Sequence, residues 1–473
     1  MKKVVYILTF LCGLSGSLLA QSTYQMKVRM TDGTTTPYAA DKVDKVTYPS
    51  TSQMQINFTD NTTATYSLDK VSKVYFGQDG ELPPAQVIAA EMYPGWNLGN
   101  TMEGGSNSNN WTNNGGTAAE TAWQSTTTTQ AVIDEVKALG FRSVRIPCAW
   151  VMGHITDTGN CTIDATWMAR VKAIVDYCIK DGLYVIINDH WDGGWLEDDG
   201  FSPSADVTAK SAQLTKIWTQ IATAFKDYDE HVLFAGLNEP AEGDSYTVSN
   251  YISNLLTYEQ AFIDAVRATG GNNATRTLIV QGPETNIDKT VQYFDVTKLT
   301  DAQKGRLMVE VHFYDPYYFT IMEADQTSSS VYLFWGSTDG KTNHVSPVSS
   351  PRNCPTTYEE AYVNSLFAKM KSTFCDKGYP VIIGEYGANW RKVDGYTNAR
   401  YQTNHDQSIQ SYYKAVNQYA ISNGCVPFAW DTNSLNYDSK GSSAIINRST
   451  VAVYDTWMAN GVTTGVAAGV WPY

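Results

Sequence analysis

Val232-Leu-Phe-Ala-Gly-Leu-Asn-Glu-Pro240 is an apolar run that breaks abruptly into an amide, a carboxylate and a proline. A short run such as Val232–Leu237 suits a strand buried on both faces, and the polar residues after it stand at its carboxyl end. The same form recurs along the chain. Gly95–Leu98, Ser143–Pro147, Leu183–Asn188, Thr277–Gln281, Leu307–Val311, Val381–Ile383 and Val426–Ala429 also read as strands. Helical periodicity fills the intervals, at Thr129–Leu139, Trp167–Asp181, Ala212–Tyr228, Tyr251–Thr269, Tyr358–Lys377 and Ser408–Asn423, with a last helix over Val451–Asn460. Eight strands alternating with helices predict an α/β fold, the (β/α)8 or TIM barrel. A doubly wound sheet would call for a glycine-rich phosphate loop after the first strand. Trp96-Asn-Leu-Gly-Asn100 is not one, so no nucleotide cofactor is expected.

Upstream of the barrel the pattern changes. Met26-Lys-Val-Arg-Met-Thr-Asp-Gly-Thr-Thr recurs as Met54-Gln-Ile-Asn-Phe-Thr-Asp-Asn-Thr-Thr. Tyr38/Tyr66, Asp41/Asp69, Lys42/Lys70, Val43/Val71 and Val46/Val74 keep the same offset. Alternating residues around Asp-Gly and Asp-Asn turns predict a small β-rich module of two hairpin-like repeats sharing one core, over residues 21–80. Gly77–Pro84 is linker-like in composition; the linker is placed at residues 81–87 and the barrel at 88–473. Residues 1–20 read as a signal peptide. Lys2 and Lys3 precede the apolar run Val4–Leu11, and Ser17-Leu-Leu-Ala20 offers a cleavage site. The mature protein is therefore expected outside the cytoplasm, secreted, periplasmic or at the cell surface.

The chain has 473 residues and a formal net charge of −14, a surface that repels phosphate backbones and anionic lipid. Neither nucleic acid nor membrane insertion is expected: the apolar run near the start is too short and interrupted to span a bilayer, and no other segment has the length. A neutral substrate and a monomer are expected. Seven cysteines, one of them in the signal segment, form no Cys-x-x-Cys, and six histidines are scattered. No metal site is expected, and disulfides remain open.

Residues at the carboxyl ends of barrel strands face one common mouth. Here they are Asn97, Arg145, His190, Asn238-Glu239, His312-Phe-Tyr314, Glu385 and Trp430. One polar residue at a strand end is commonly a cap, but packing alone gives no reason for so many to converge. Glu239 and Glu385 suit cleavage of a glycosidic bond, which needs an acid on the leaving oxygen and a carboxylate opposite it. Like charges that close push one pKa up. Glu239 is expected protonated and Glu385 ionised, with Arg145 and Tyr314 donating to it. His190, His312 and Asn238 could bind hydroxyls, and Trp430 could stack beneath a sugar ring.

These motifs, Trp96-Asn-Leu-Gly-Asn100, Val144-Arg-Ile-Pro147, Leu237-Asn-Glu-Pro240, His312-Phe-Tyr314 and Ile383-Gly-Glu-Tyr-Gly387, resemble glycoside hydrolase family 5 over about residues 88–473. The resemblance implies a double-displacement mechanism, with Glu239 as acid/base and Glu385 as nucleophile. It places Arg145, His190, Asn238, His312, Tyr314 and Trp430 in the surrounding shell, with Asn97 in support. His190-Trp191-Asp192 departs from the His-His-Glu or His-His-Asp often found in endoglucanase-like members, which bears on substrate placement.

Long loops rich in aromatics, Thr101–Trp123 and Tyr314–Trp335, suggest an open cleft, with Trp191, Trp335 and Trp390 as possible subsite surfaces. The function expected is endo-acting cleavage of β-1,4 linkages in plant-type polysaccharide, cellulose-like or mixed-linkage glucan first. Xyloglucan, mannan and glucomannan remain open within the class. The alternative of another class is a non-catalytic glycan-binding protein.

Overall fold

The computed structural model describes residues 24–105, 116–197, 199–241, 246–347, 349–393, 400–436 and 442–473. The expected signal peptide and Trp111 lie outside the described residues. The chain divides into two compact units, one ending at Pro83 and one running from Pro84 to Pro472.

The first unit holds six strands: β1 (Tyr24–Met30), β2 (Thr35–Ala39), β3 (Val43–Ser50), β4 (Gln53–Phe58), β5 (Thr63–Ser67) and β6 (Val71–Gln78). Each repeat is thus three strands rather than a hairpin, and the third is exchanged. β6 of the second repeat completes the sheet of β1 and β2, and β3 of the first completes the sheet of β4 and β5. The exchange is symmetric in register: Val28 pairs with Val74, and Ile56 with Val46. Met26, Val28, Met54, Ile56 and Val71 form the shared core. The hydroxyls of Tyr38 and Tyr66, equivalent positions of the two repeats, hydrogen-bond to each other. Each turn is closed by its aspartate, Asp32 accepting from Thr34 N and Asp60 from Thr62 N, both at 2.9 Å.

The second unit is a closed parallel barrel. Its strands are β7 (Gly95–Asn97), β8 (Ser143–Ile146), β9 (Tyr184–Asn188), β10 (Val232–Ala235), β11 (Leu278–Gln281), β12 (Leu307–Phe313), β13 (Val381–Tyr386) and β14 (Cys425–Ala429). Around it lie α1 (Gln130–Ala138), α2 (Ala165–Lys180), α3 (Val207–Phe225), α4 (Val248–Ala268), α5 (Ile287–Tyr293), α6 (Glu360–Thr373), α7 (Arg400–Ser422) and α8 (Thr456–Ala468). Strand alternation sorts the side chains. Val309, Val311 and Phe313 of β12 join the cluster under the helices, whereas Met308 joins an inner layer with Ile186, Leu233, Ile279, Ile382 and Phe428. A short helix, Ala85–Ala89, packs into that layer through Ala85, Ile88 and Ala89 and closes the amino-terminal end of the barrel. The floor is apolar and sealed, so polar inward residues collect at the other end.

Among the described residues no helix is long and apolar enough to cross a membrane. The six cysteines from Cys148 to Cys425 are all buried free thiols.

The last helix starts later and runs farther than expected, to Ala468, through Gly461 and Gly465. These glycines let α8 lie directly on α7. A Cβ on Gly465 would stand 2.5 Å from Lys414 O and 2.7 Å from Asn417 Cβ. Gly465→Ala should therefore lose about 1–3 kcal/mol by overpacking, although alanine is the better helix former by about 1 kcal/mol. The check is the urea midpoint at unchanged slope; a variant as stable as wild type would show that the helices separate freely.

Candidate active site

The mouth is shaped by one irregularity in β13. Val311 pairs with Ile383 but His312 pairs with Glu385, so Gly384 is an extra residue, a β-bulge. Ile382 points into the barrel and Val381 and Ile383 out. Strict alternation would send the side chain at 385 outward; the bulge turns Glu385 inward beside His312. The bulge residue has to be glycine, because a Cβ there would stand 1.9 Å from Glu310 Oε1. Asn97 Nδ2 donates to Gly384 O at 2.9 Å and fixes the kink.

Arg145, on β8, lies fully buried at the centre. Its Nη1 donates to Glu385 Oε1 at 2.9 Å and to Asn97 Oδ1 at 3.1 Å, and its Nη2 to Asn238 Oδ1 at 2.8 Å. Its Nε faces Glu310 Oε1 at 3.0 Å, an ion pair rather than an aligned hydrogen bond. Tyr314 Oη donates to Glu385 Oε2 at 2.9 Å. His312 Nδ1 stands 2.5 Å from Glu239 Oε1 and 3.8 Å from Glu385 Oε2. One oxygen from each of these glutamates and a His312 ring nitrogen all lie within 4.8 Å of one another. His190 stacks on Trp430, ring centres 5.7 Å apart, with Nδ1 4.0 Å from Glu385 Oε1. All nine residues expected at the site by sequence are thus gathered here.

Burial raises the Glu385 carboxyl, and the charge of Glu239 adds to it; His312, Arg145 and Tyr314 oppose. Sequence reading expected Arg145 and Tyr314 to hold Glu385 ionised. Both donors are in place, but desolvation outweighs them in direction. His312 goes the other way: burial disfavours its charge, yet Glu385 and Glu239 push it up to about 10. Burial, helped by Arg145, holds His190 well below its usual value, so it is neutral.

The loop after β9 is backbone-strained. Trp191, Asp192, Gly193 and Gly194 all have positive φ, at 48°, 52°, 73° and 74°. The Asp192 carboxylate holds it by accepting the backbone N–H groups of Trp150, Val151 and Met152 at 2.9, 2.7 and 2.6 Å. Glu197 Oε1 accepts from Glu239 N at 3.1 Å and from Trp191 N at 3.3 Å, tying the loop to the end of β10. Trp191 is half-buried against Trp123, ring centres 6.4 Å apart, and Trp123 is exposed.

Of the other aromatics singled out by sequence, Trp335 is not a cleft surface. It is fully buried, donates to Tyr358 O and packs on Phe319 and Tyr412. Trp390 is half-buried with its Nε1 on Asp406. Sequence reasoning missed Glu310, Asp192 and Glu197. Glu310 had a signal: it lies two residues before His312, and the period of two puts both on the same inward face.

The sequence pattern of the family described as cellulase (glycosyl hydrolase family 5) matches residues 105–436. Endoglucanase A of Paenibacillus barcinonensis is 33% identical over 397 residues, 81% of this chain and 90% of that protein. A xyloglucan-specific endo-β-1,4-glucanase of Bacteroides ovatus is 36% identical over 73% of this chain and 64% of its own length. Among solved structures, a family 5 xyloglucan-specific β-1,4-glucanase from a ruminal metagenomic library superposes with a TM-score of 0.73 at 49% identity, over 82% of this chain and 98% of that one. With a family pattern spanning most of the barrel and relatives this close over most of their length, the chain belongs to glycoside hydrolase family 5.

Proposed function

We propose that the protein is an endo-acting β-1,4-glucanase that cuts its chain with retention at the anomeric carbon, Glu239 serving as acid/base and Glu385 as nucleophile. The observation that carries this reading is the carboxylate spacing. Oxygens of the two within 4.8 Å suit the retaining geometry of about 5–5.5 Å, whereas an inverting pair stands about 6.5–9.5 Å apart to admit a water. In the first step Glu239 gives its proton to the glycosidic oxygen as Glu385 bonds to the anomeric carbon and the bond to that oxygen breaks. In the second, Glu239 takes a proton from water, whose oxygen displaces Glu385 and restores its carboxylate.

The surroundings support the division of labour. Glu385 is braced by Arg145 and Tyr314 at 2.9 Å each, which suits a nucleophile that must keep one orientation. Glu239 is the more open of the pair and lines a cleft of about 230 Å³ with Glu284, Asp288, Asp315, Tyr317 and Ile321, a place for the leaving portion of the chain. The relatives named as β-1,4-glucanases support a β-1,4-glucan backbone as substrate. A second reading within it, a preference for xyloglucan, is favoured by the 49% identity to a xyloglucan-specific enzyme. The basic start and apolar run of residues 1–20 support export from the cytoplasm.

Glu385→Gln should lower turnover on the order of 10⁴-fold or more while leaving the fold and polymer binding in place. Near-wild-type rates would remove Glu385 from the nucleophile's role. Glu239→Ala should cost on the order of 10²–10⁴-fold on polysaccharide but far less on aryl glycosides, whose leaving groups need no proton. Equal losses on both would count against the acid. Reducing-sugar release from xyloglucan, barley β-glucan, carboxymethylcellulose and glucomannan ranks the substrates, and no release from any β-1,4-glucan would overturn the reading.

A further inference from the structure

We propose that Glu310, which the double displacement itself does not use, is a positioning residue: it is the fixed counter-charge that lets Arg145 and a doubly protonated His312 stand together beneath Glu239 and Glu385. The proposal rests on the roles given above to those two glutamates.

The hydrogen-bond inventory around Glu310 leaves little freedom. Gln281 Oε1 accepts the N–H of Leu237 at 2.9 Å, which fixes the orientation of its amide. The Gln281 Nε2 therefore faces Glu310 Oε2 as a donor, at 2.6 Å. Glu310 Oε1 faces Arg145 Nε, which always carries a proton, at 3.0 Å. Both oxygens look at donors, so the group is a carboxylate although it is fully buried. Burial alone would push it up, but Arg145 and His312 together hold it below the ordinary carboxyl range. His312 Nε2, 3.4 Å from the same Oε1, must then be the protonated ring nitrogen facing it. The other ring nitrogen faces Glu239 Oε1 at 2.5 Å; in the state proposed, its proton lies on that line and Glu239 carries its own on Oε2.

The charges then balance. Arg145 and His312 contribute two positive charges, Glu310 and Glu385 two negative ones, and Glu239 can keep its proton in a neutral site. Three further titratable groups packed against the cluster are pushed toward their neutral forms; Glu197 accepts at the backbone N of Glu239, and Glu284, Asp288 and Asp315 line the cleft beyond it. Glu259 of α4 accepts from Gln281 N at 2.7 Å, and burial pushes its carboxyl well up, toward the neutral form. His190 is neutral, and burial, helped by the charge of Glu385, keeps Tyr314 protonated. Without Glu310 the buried site would carry an excess positive charge, and every proton in it would leave at lower pH. The bulge glycine belongs to the same device, since its missing Cβ is the space the Glu310 carboxylate occupies.

The test is the pH dependence of kcat/KM on an aryl β-cellobioside for wild type, Glu310→Gln and Glu310→Asp. In Glu310→Gln both limbs should move to lower pH by about one unit, whatever the height of the profile, and Glu310→Asp, which keeps the charge, should bring them back toward wild type. Limbs that stay put in Glu310→Gln would overturn the proposal, because a merely structural loss lowers the profile without displacing it. Should that variant not fold, ¹⁵N spectra of the wild-type imidazoles, with His312 assigned by its loss in His312→Asn, ask the same question. Both ring nitrogens of His312 should be protonated at neutral pH, and a neutral ring there would also overturn it. The spectra need no turnover, so a protein inactive on every β-glucoside would fail the functional reading and leave this one standing or falling by itself.

Discussion

A guanidinium with no access to water holds this site together. Burying an unpaired cation costs several kcal/mol even after relaxation, and Arg145 is fully buried. Its partners come from β7 (Asn97), the end of β10 (Asn238), β12 (Glu310) and β13 (Glu385). Five of the eight strands, its own included, are thus committed to one side chain. A pair of buried charges is weak evidence for stability, since apolar residues of similar size often pack as well. Its value here lies in position: any shift of one strand against its neighbours breaks a charged contact, so the register of the mouth is defined where the chemistry needs it.

The two reacting carboxylates are aimed by different means. Glu385 owes its direction to the extra residue at Gly384, which inverts the pleat at one point. Glu239 lies just past the last hydrogen-bonded residue of β10, and its backbone is tied to the strained Trp191–Gly194 turn through Glu197. One is set by sheet geometry and the other by a buried loop carboxylate. Disturbing either loop or sheet therefore misplaces one partner of the pair before the other.

Much of this could be read from the residues. The eight apolar runs and their polar ends located the barrel mouth, because a buried strand has a sharp composition and its end is marked by the first residues that cannot be buried alone. Glu239 and Glu385 fell at such ends. Glu310 did not: it sits inside a strand among apolar residues, and only the alternation from His312 of the same strand reveals its direction. Trp335 misled because an aromatic-rich loop can fold back on itself as readily as line a cleft, and composition does not distinguish the two. The last helix runs past the expected Asn460 to Ala468 through two glycines, which lower helix propensity; only the approach of α7 explains them. The repeats were plain in the sequence, but which third strand pairs with which repeat was not. Both choices satisfy the same pattern of alternating residues.

That exchanged strand has a consequence for how the amino-terminal unit can exist at all. A solitary repeat of this kind could complete its three-stranded sheet only by borrowing β3 from another copy, so it would be a dimer held by mass action. Joining two copies in tandem makes the loan internal, at the roughly millimolar effective concentration of a short tether. The unit is then insensitive to dilution, and its halves share one fate: a cut between Ser50 and Gln53 would leave each fragment with an open edge and a spare strand, ready to find its counterpart on a different molecule.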